Sequence, residues 1–135
     1  NAQPFDVSVV IRDFRDDLLP WFEMRSFVRN KKLNAVSQYF STCYFPNVSI
    51  DEWKKVKEKV VKFYEDKVLP VLPYDHCVVD FAIMQDGSIL VIEINAFGDI
   101  CGPALFDWDK DRSVLYHGPL EFRIVDGCSM KISCI

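Results

Sequence analysis

The stretch from His76 to Asn95, HCVVDFAIMQDGSILVIEIN, has few ways to fold other than as a β-hairpin. β-Branched and aromatic residues alternate on both sides of Gln85-Asp86-Gly87-Ser88, and Asp-Gly is a favoured pair for a tight two-residue turn. Such a turn sets Gln85 against Ser88, and counting outward places Asp80 opposite Glu93 and Val78 opposite Asn95. Alternation then puts Asp80, Glu93 and Asn95 on one face. The other face brings Val79, Phe81 and Ile83 against Leu90, Ile92 and Ile94, an apolar set that needs a core beneath it and resists slippage by one residue.

Directly opposed residues lie roughly 5 Å apart at Cβ, where two carboxylates repel unless a cation or a proton intervenes. A bound cation is the economical solution. Two carboxylates and an amide oxygen form a hard oxygen set that suits magnesium, completed by water and phosphate oxygens, better than zinc or copper. The alternative is a solvated polar strand face with one raised carboxyl pKa.

The chain has 135 residues, half of them hydrophobic and 14% aromatic, which suffices for one packed core and one domain. Its net charge of −4, without a basic block or arginine stripe, argues against a general electrostatic affinity for nucleic acid or anionic membrane. No apolar run approaches the roughly 20 residues of a membrane span. The start, NAQPFDVS, lacks the basic and apolar regions of a signal peptide, so a soluble, cytoplasmic protein is expected. Cys43, Cys77, Cys101, Cys128 and Cys134 are odd in number, scattered and without a Cys-x-x-Cys pair. That pattern speaks against a disulfide framework and a zinc site, and predicts reduced thiols, several of them buried. The absence of Met at position 1 suggests a fragment, although processing would give the same start.

Punctuation along the chain predicts a strand over Val7 to Phe14, a second over Trp21 to Arg29, a turn at Asn30-Lys31-Lys32 and a returning strand over Leu33 to Tyr39. Ser49 and Glu52 form a capping box for a helix in which Trp53, Val56, Val60, Phe63 and Tyr64 recur at helical spacing until Pro70 ends it. Lys54, Lys55, Lys57, Lys59 and Lys62 fall mostly between those apolar positions and read as a solvated face. After the central hairpin, a loop over Phe97 to Pro103 leads to Leu105-Phe106-Asp107-Trp108, and Glu121 to Val125 is a late strand. The tail from Gly127 to Ile135 shows mixed polarity without a pattern and is open to disorder. His76 and His117 have no third ligand nearby and read as structural. The whole is an α+β layer of antiparallel pairs with a packed helix.

Five motifs, V-V-I-R-D-F (Val9 to Phe14), F-E-M-R-S-F-V-R-N-K-K-L-N-A-V-S-Q-Y (Phe22 to Tyr39), V-V-D-F-A-I, I-L-V-I-E-I-N-A-F-G and A-L-F-D-W, resemble the cell-division-cycle protein 123 family of the ATP-grasp superfamily. Their order and spacing agree over most of positions 7 to 109. The resemblance implies Mg-ATP bound between two α+β subdomains, of which this chain matches the second and the strand leading into it. Residues 1–125 would form that ATP-grasp-like domain, with 126–135 as a tail. The first subdomain, which in the family supplies a phosphate-covering lid and a nucleotide-binding lysine, would be absent. Asp80, Glu93 and Asn95 match the family's metal-binding positions, in agreement with the hairpin geometry. Arg25 matches an arginine facing the nucleotide phosphates, a role in which guanidinium grips bidentately as lysine does not; read without the family, it is a surface partner of Glu23. Val10 to Phe14 matches the hinge that meets adenine, so Ile11, Arg12, Asp13 and Phe14 join the cofactor-binding set. Gln38, beside Ser37, falls near the cleft.

Three departures accompany the match. Ala96 stands where relatives mostly carry proline, and Glu93 where the eukaryotic proteins usually carry Asp, Glu-x-Asn being commoner among ATP-grasp ligases. Asp13 occupies a hinge position that tends to be basic. The resemblance implies an ATP-dependent assembly factor that binds the gamma subunit of translation initiation factor 2. The alternatives are an ATP-grasp ligase forming an acyl phosphate for attack by an amine, and a degenerate domain that binds nothing. Phe106 and Trp108 are candidates for an apolar docking surface or for the core.

Overall fold

The computed structural model describes residues 8–11 and 13–135. Six strands, β1 (Leu18–Arg29), β2 (Lys32–Gln38), β3 (His76–Met84), β4 (Ile89–Asn95), β5 (Glu121–Asp126) and β6 (Lys131–Cys134), form one sheet in the order β4-β3-β1-β2-β5-β6. Neighbours run antiparallel except β2 and β5, which are parallel. Helix α1 (Ile50–Phe63) covers one face, and its last turn widens into a π-helical turn over Tyr64–Val68 before Pro70. A short helix, α2 (Arg112–His117), and the loop before it cover part of the other face.

Helix α1 begins where the capping box places it. Ser49 Oγ accepts from the Glu52 N–H at 3.2 Å, and the Glu52 carboxylate accepts from the Ser49 N–H at 2.7 Å. Trp53, Val56, Val60 and Tyr64 are buried against Met24, Val28, Val36, Val79, Phe81, Phe122 and Ile124 of the sheet, and Lys54, Lys55, Lys59 and Lys62 face solvent. On the opposite face a smaller core gathers Phe27, Ala35, Val78, Cys101, Phe106 and Leu115. Phe106 and Trp108 meet Phe27 edge to face at 5.4 and 5.5 Å, so they serve the core and do not form a docking surface.

The central hairpin pairs Asp80 with Glu93 and Val78 with Asn95, as the sequence implies, but reaches that register by another route. Its loop holds three residues, 85–87: Met84 N–H donates to the Ser88 carbonyl at 2.9 Å, and Gly87 adopts a positive φ of 82°. The extra loop residue shifts the outer pairs, so Phe81 faces Val91 and Ile83 faces Ile89, in place of Ile92 and Leu90. A bulge between Asp80 and Phe81 then takes up one residue of β4 and restores the expected pairs. The two deviations cancel at the acids.

The β1–β2 turn is tighter than its three polar residues suggest. Asn30 and Lys31, with φ of 53° and 58°, form it alone, and Lys32 already pairs with Arg29. No strand forms over the described residues of 7–14: Val9, Val10, Ile11 and Phe14 are 80–91% exposed. A strand without a ladder partner or a covered apolar face has nothing to offset its ordering entropy, whatever its β-propensity. Val7 and Arg12 lie outside the described residues. The tail, unpatterned in sequence, is ordered instead as β6, with Lys57 Nζ donating to the Ile135 carbonyl.

Candidate functional site

The sheet face opposite α1 is left open beyond the Phe106–Trp108 cover, and there the polar residues of three strands meet. Arg25 of β1 lies opposite Asp80 of β3, which lies opposite Glu93 of β4, so strand register alone lines the three up across the sheet. Asn95, two residues on, returns to the same face. Its Nδ2 lies 2.6 Å from Glu93 Oε1 and 3.5 Å from Asp80 Oδ2, so the amide bridges both acids. Asp80, Glu93 and Asn95 are thus brought together as the hairpin reading requires.

Arg25 is placed differently from its reading as a surface partner of Glu23. It is buried, its Nε and Nη2 donate to the two oxygens of Asp80 at 2.9 and 2.7 Å, and its Nη1 donates to the Gly102 carbonyl at 2.7 Å. The guanidinium also sits 4.8 Å from the centre of the Tyr39 ring. The cation demanded by two opposed carboxylates is therefore supplied, in this conformation, by the chain itself. Burial pushes the Asp80 carboxyl up from its ordinary range, Arg25 opposes the rise, and Glu93 adds to it. Asp80 in turn holds the guanidinium firmly charged.

Glu23 escaped the sequence reading as part of the cluster. It stands two residues before Arg25 on the same strand face, is half-buried, and has a carboxyl raised by burial and then by Asp80. The signal was present in the alternation Glu23-x-Arg25. Glu23, Asp80 and Glu93 thus act on one another across this face, and Asp80 is the acid that Arg25 grips. A cavity of about 240 Å³ opens between Arg25, Glu93, Asn95, Ile100 and Gly102.

Two acids and an amide are a hard-oxygen set, the donor type that suits magnesium. Among the described residues no three His, Cys, Asp or Glu side chains form a metal cage, so Asn95 would have to complete the set. Its amide presents nitrogen to the acids here; presenting oxygen to a cation takes a rotation about a soft terminal torsion. Asp80 would also have to share oxygens that Arg25 engages.

The remaining site candidates separate. Asp13 and Phe14 line a shallow depression of about 490 Å³ with Leu18, Leu90 and Ile92, while Ile11 stands in solvent and Arg12 is outside the described residues. Gln38 and Ser37 do not reach a cleft. Gln38 accepts from the Val125 N–H and donates to the carbonyls of Phe40 and Cys43, and Ser37 accepts from the Leu105 N–H, so both are buried ties between segments. His76 Nδ1 accepts from the Asn30 N–H at 3.1 Å, a structural role as read from the sequence.

The chain is 29% identical over 103 residues to a translation initiation factor eIF2 assembly protein of Xenopus laevis, covering 76% of this chain and 30% of that protein. The protein of the same name from Candida albicans is 27% identical over 130 residues, covering 90% of this chain and 36% of its own length. The chain thus spans about a third of the length of the curated relatives it matches. The structure of Cdc123 from Schizosaccharomyces pombe superposes with a TM-score of 0.69 at 22% identity, over 82% of this chain and 43% of that one. That likeness shows the fold, and the six-stranded sheet with its packed helix fits the ATP-grasp-like architecture expected from the motifs. A family model described as D123 matches residues 1–133, and the chain belongs to the D123 family.

Proposed function

We propose that this chain contributes the metal- and phosphate-facing wall of an ATP-dependent factor that assembles translation initiation factor 2, with the gamma subunit as its partner and the cytoplasm as its place of work. The observation that carries the nucleotide part is the meeting of Asp80, Glu93 and Asn95 on one sheet face with Arg25 docked on Asp80. The relatives named as eIF2 assembly proteins support the assembly part.

On this reading Asp80, Glu93 and Asn95 hold magnesium, which would neutralise and orient the phosphates of ATP. Arg25 would be the group to grip phosphate oxygens, exchanging one bidentate oxyanion, Asp80, for another. The Gly102 carbonyl and the Tyr39 ring would hold the guanidinium on the site face.

Calorimetric titration of ATP, with and without magnesium, into this chain and into its Glu93→Gln and Asp80→Asn variants tests the site. Magnesium-dependent binding that both variants lose is expected; binding that ignores magnesium or survives both substitutions sinks the reading. Retention of the purified gamma subunit by this chain tests the assembly part separately, and its absence in the presence of Mg-ATP would count against the partner.

A further inference from the structure

Past Asn95 the same sheet face continues into a second cavity of about 440 Å³, whose walls include Arg29, Tyr74, His76, Ile94, Asn95 and Phe97. Register places Arg29 opposite His76, two residue pairs beyond Phe27 and Val78. Arg29 is four residues from Arg25 along β1, roughly 13 Å at the usual strand rise, so the two cavities have different arginines and meet at Asn95 and Ala96, which line both.

Arg29 is built into this cavity by aromatic rings. Its guanidinium lies 4.7 Å from the Tyr116 ring centre and 5.5 Å from that of Phe97, and Arg112 approaches Tyr116 at 4.4 Å. Of the described arginines, Arg15, Arg25 and Arg123 each grip a carboxylate, whereas Arg29 and Arg112 have none within ion-pair distance. Stacking on rings engages the face of a guanidinium and leaves its in-plane N–H edge to receive a planar oxyanion. His76 Nδ1 accepts from the Asn30 N–H, which leaves Nε2 as a second donor on the residue opposite Arg29.

We infer that this cavity binds a carboxylate attached to an apolar or aromatic group, as at the terminus or an acidic side chain of a peptide. One arginine matches one negative charge. A phosphate dianion would call for more positive charge than this cavity offers in a chain of net charge −4. Tyr74, Ile94 and Phe97 supply the apolar wall against which the neighbouring group packs, and the volume is that of a small-ligand site. The inference does not depend on nucleotide binding at Asp80.

Amide chemical shifts of this chain would be followed while adding four probes: N-acetylphenylalanine, N-acetylglutamylphenylalanine amide, uncharged N-acetylphenylalanine amide, and inorganic phosphate. Saturable movement of residues 29, 76 and 95–97 is expected with a carboxylate probe, the tighter of the first two telling a chain terminus from a side chain. Arg29→Gln should weaken it by about tenfold or more, the loss of a charge-assisted fork, and Lys54→Gln, exposed on α1 across the sheet, should leave it unchanged. Equal binding of the uncharged amide, tighter binding of phosphate, no movement at these residues, or an unaltered affinity in Arg29→Gln overturns the assignment. If Arg29→Gln does not fold, Arg29→Lys keeps the charge without the fork and should still bind at least about threefold more weakly.

Discussion

Replacing Arg25 by Met tests the claim that the chain supplies its own counter-cation. Asp80 is 1% exposed and Arg25 10%, and the guanidinium satisfies both Asp80 oxygens as well as the Gly102 carbonyl. Removing one partner of such a pair leaves a buried charge uncompensated, at a cost of about 3–5 kcal/mol. For a domain of this size that is a fall in Tm of roughly 10–15 °C. Burial already raises the Asp80 carboxyl and Arg25 opposes the rise, so Arg25→Met leaves burial and Glu93 to raise it further. A carboxyl whose folded pKa exceeds its unfolded value contributes stability fully below the unfolded value and loses it as pH rises through the folded value. The deficit of Arg25→Met is therefore smallest near pH 4, about the unfolded value, and grows toward neutrality. Urea unfolding followed by tryptophan fluorescence measures it, with the pair Arg25→Met, Asp80→Leu expected to regain at least half of the loss. A cost for Arg25→Met below about 1 kcal/mol, typical of an exposed pair, or a deficit independent of pH, would refute the reasoning.

Gly87→Ala should cost about 1–2 kcal/mol in the same assay, because the loop needs its φ of 82° there, and an unchanged midpoint would argue for a different turn. Asp111 accepts two hydrogen bonds from Arg123, which holds its carboxyl below the ordinary range. A depressed carboxyl stabilises above its unfolded pKa and loses that contribution as pH falls through the folded value. Asp111→Asn should therefore cost about 1 kcal/mol at pH 7 and converge with the wild type in strong acid, as urea midpoints across pH would show. Cys128 and Cys134 are exposed, whereas burial removes Cys77 and Cys101 from solvent and pushes the Cys77 thiol up to about 11. A thiol reagent read by mass spectrometry should label the first two in the native state and reach the second two only on unfolding.

The face that carries Asp80, Glu93 and Asn95 was legible because side-chain alternation survives an error in the turn, provided a bulge restores the step. Neither the three-residue loop nor the bulge has a local signal that overrides Asp86-Gly87. The motifs single out Arg25 but do not show it as Asp80's partner, since the meeting depends on β1 lying beside β3, a pairing between distant segments. The apolar run Val9 to Phe14 misled for the opposite reason: its propensity is local, and the ladder that would use it is not present among the described residues. The tail was unreadable because β6 is short and mostly exposed, held by β5 and not by an apolar pattern of its own.

The parallel junction of β2 with β5 has a consequence for how the chain is made. About 80 residues separate the two strands in sequence, so β2 can pair at once with β1 but waits for β5 until everything from α1 to α2 has emerged. At ordinary synthesis rates that delay is roughly 4–16 s, long compared with the microseconds in which a hairpin closes. Throughout it, Ala35 to Ser37 present an unzipped edge. This segment is the natural place for a holding chaperone to act and, without one, for nascent chains to stick to each other.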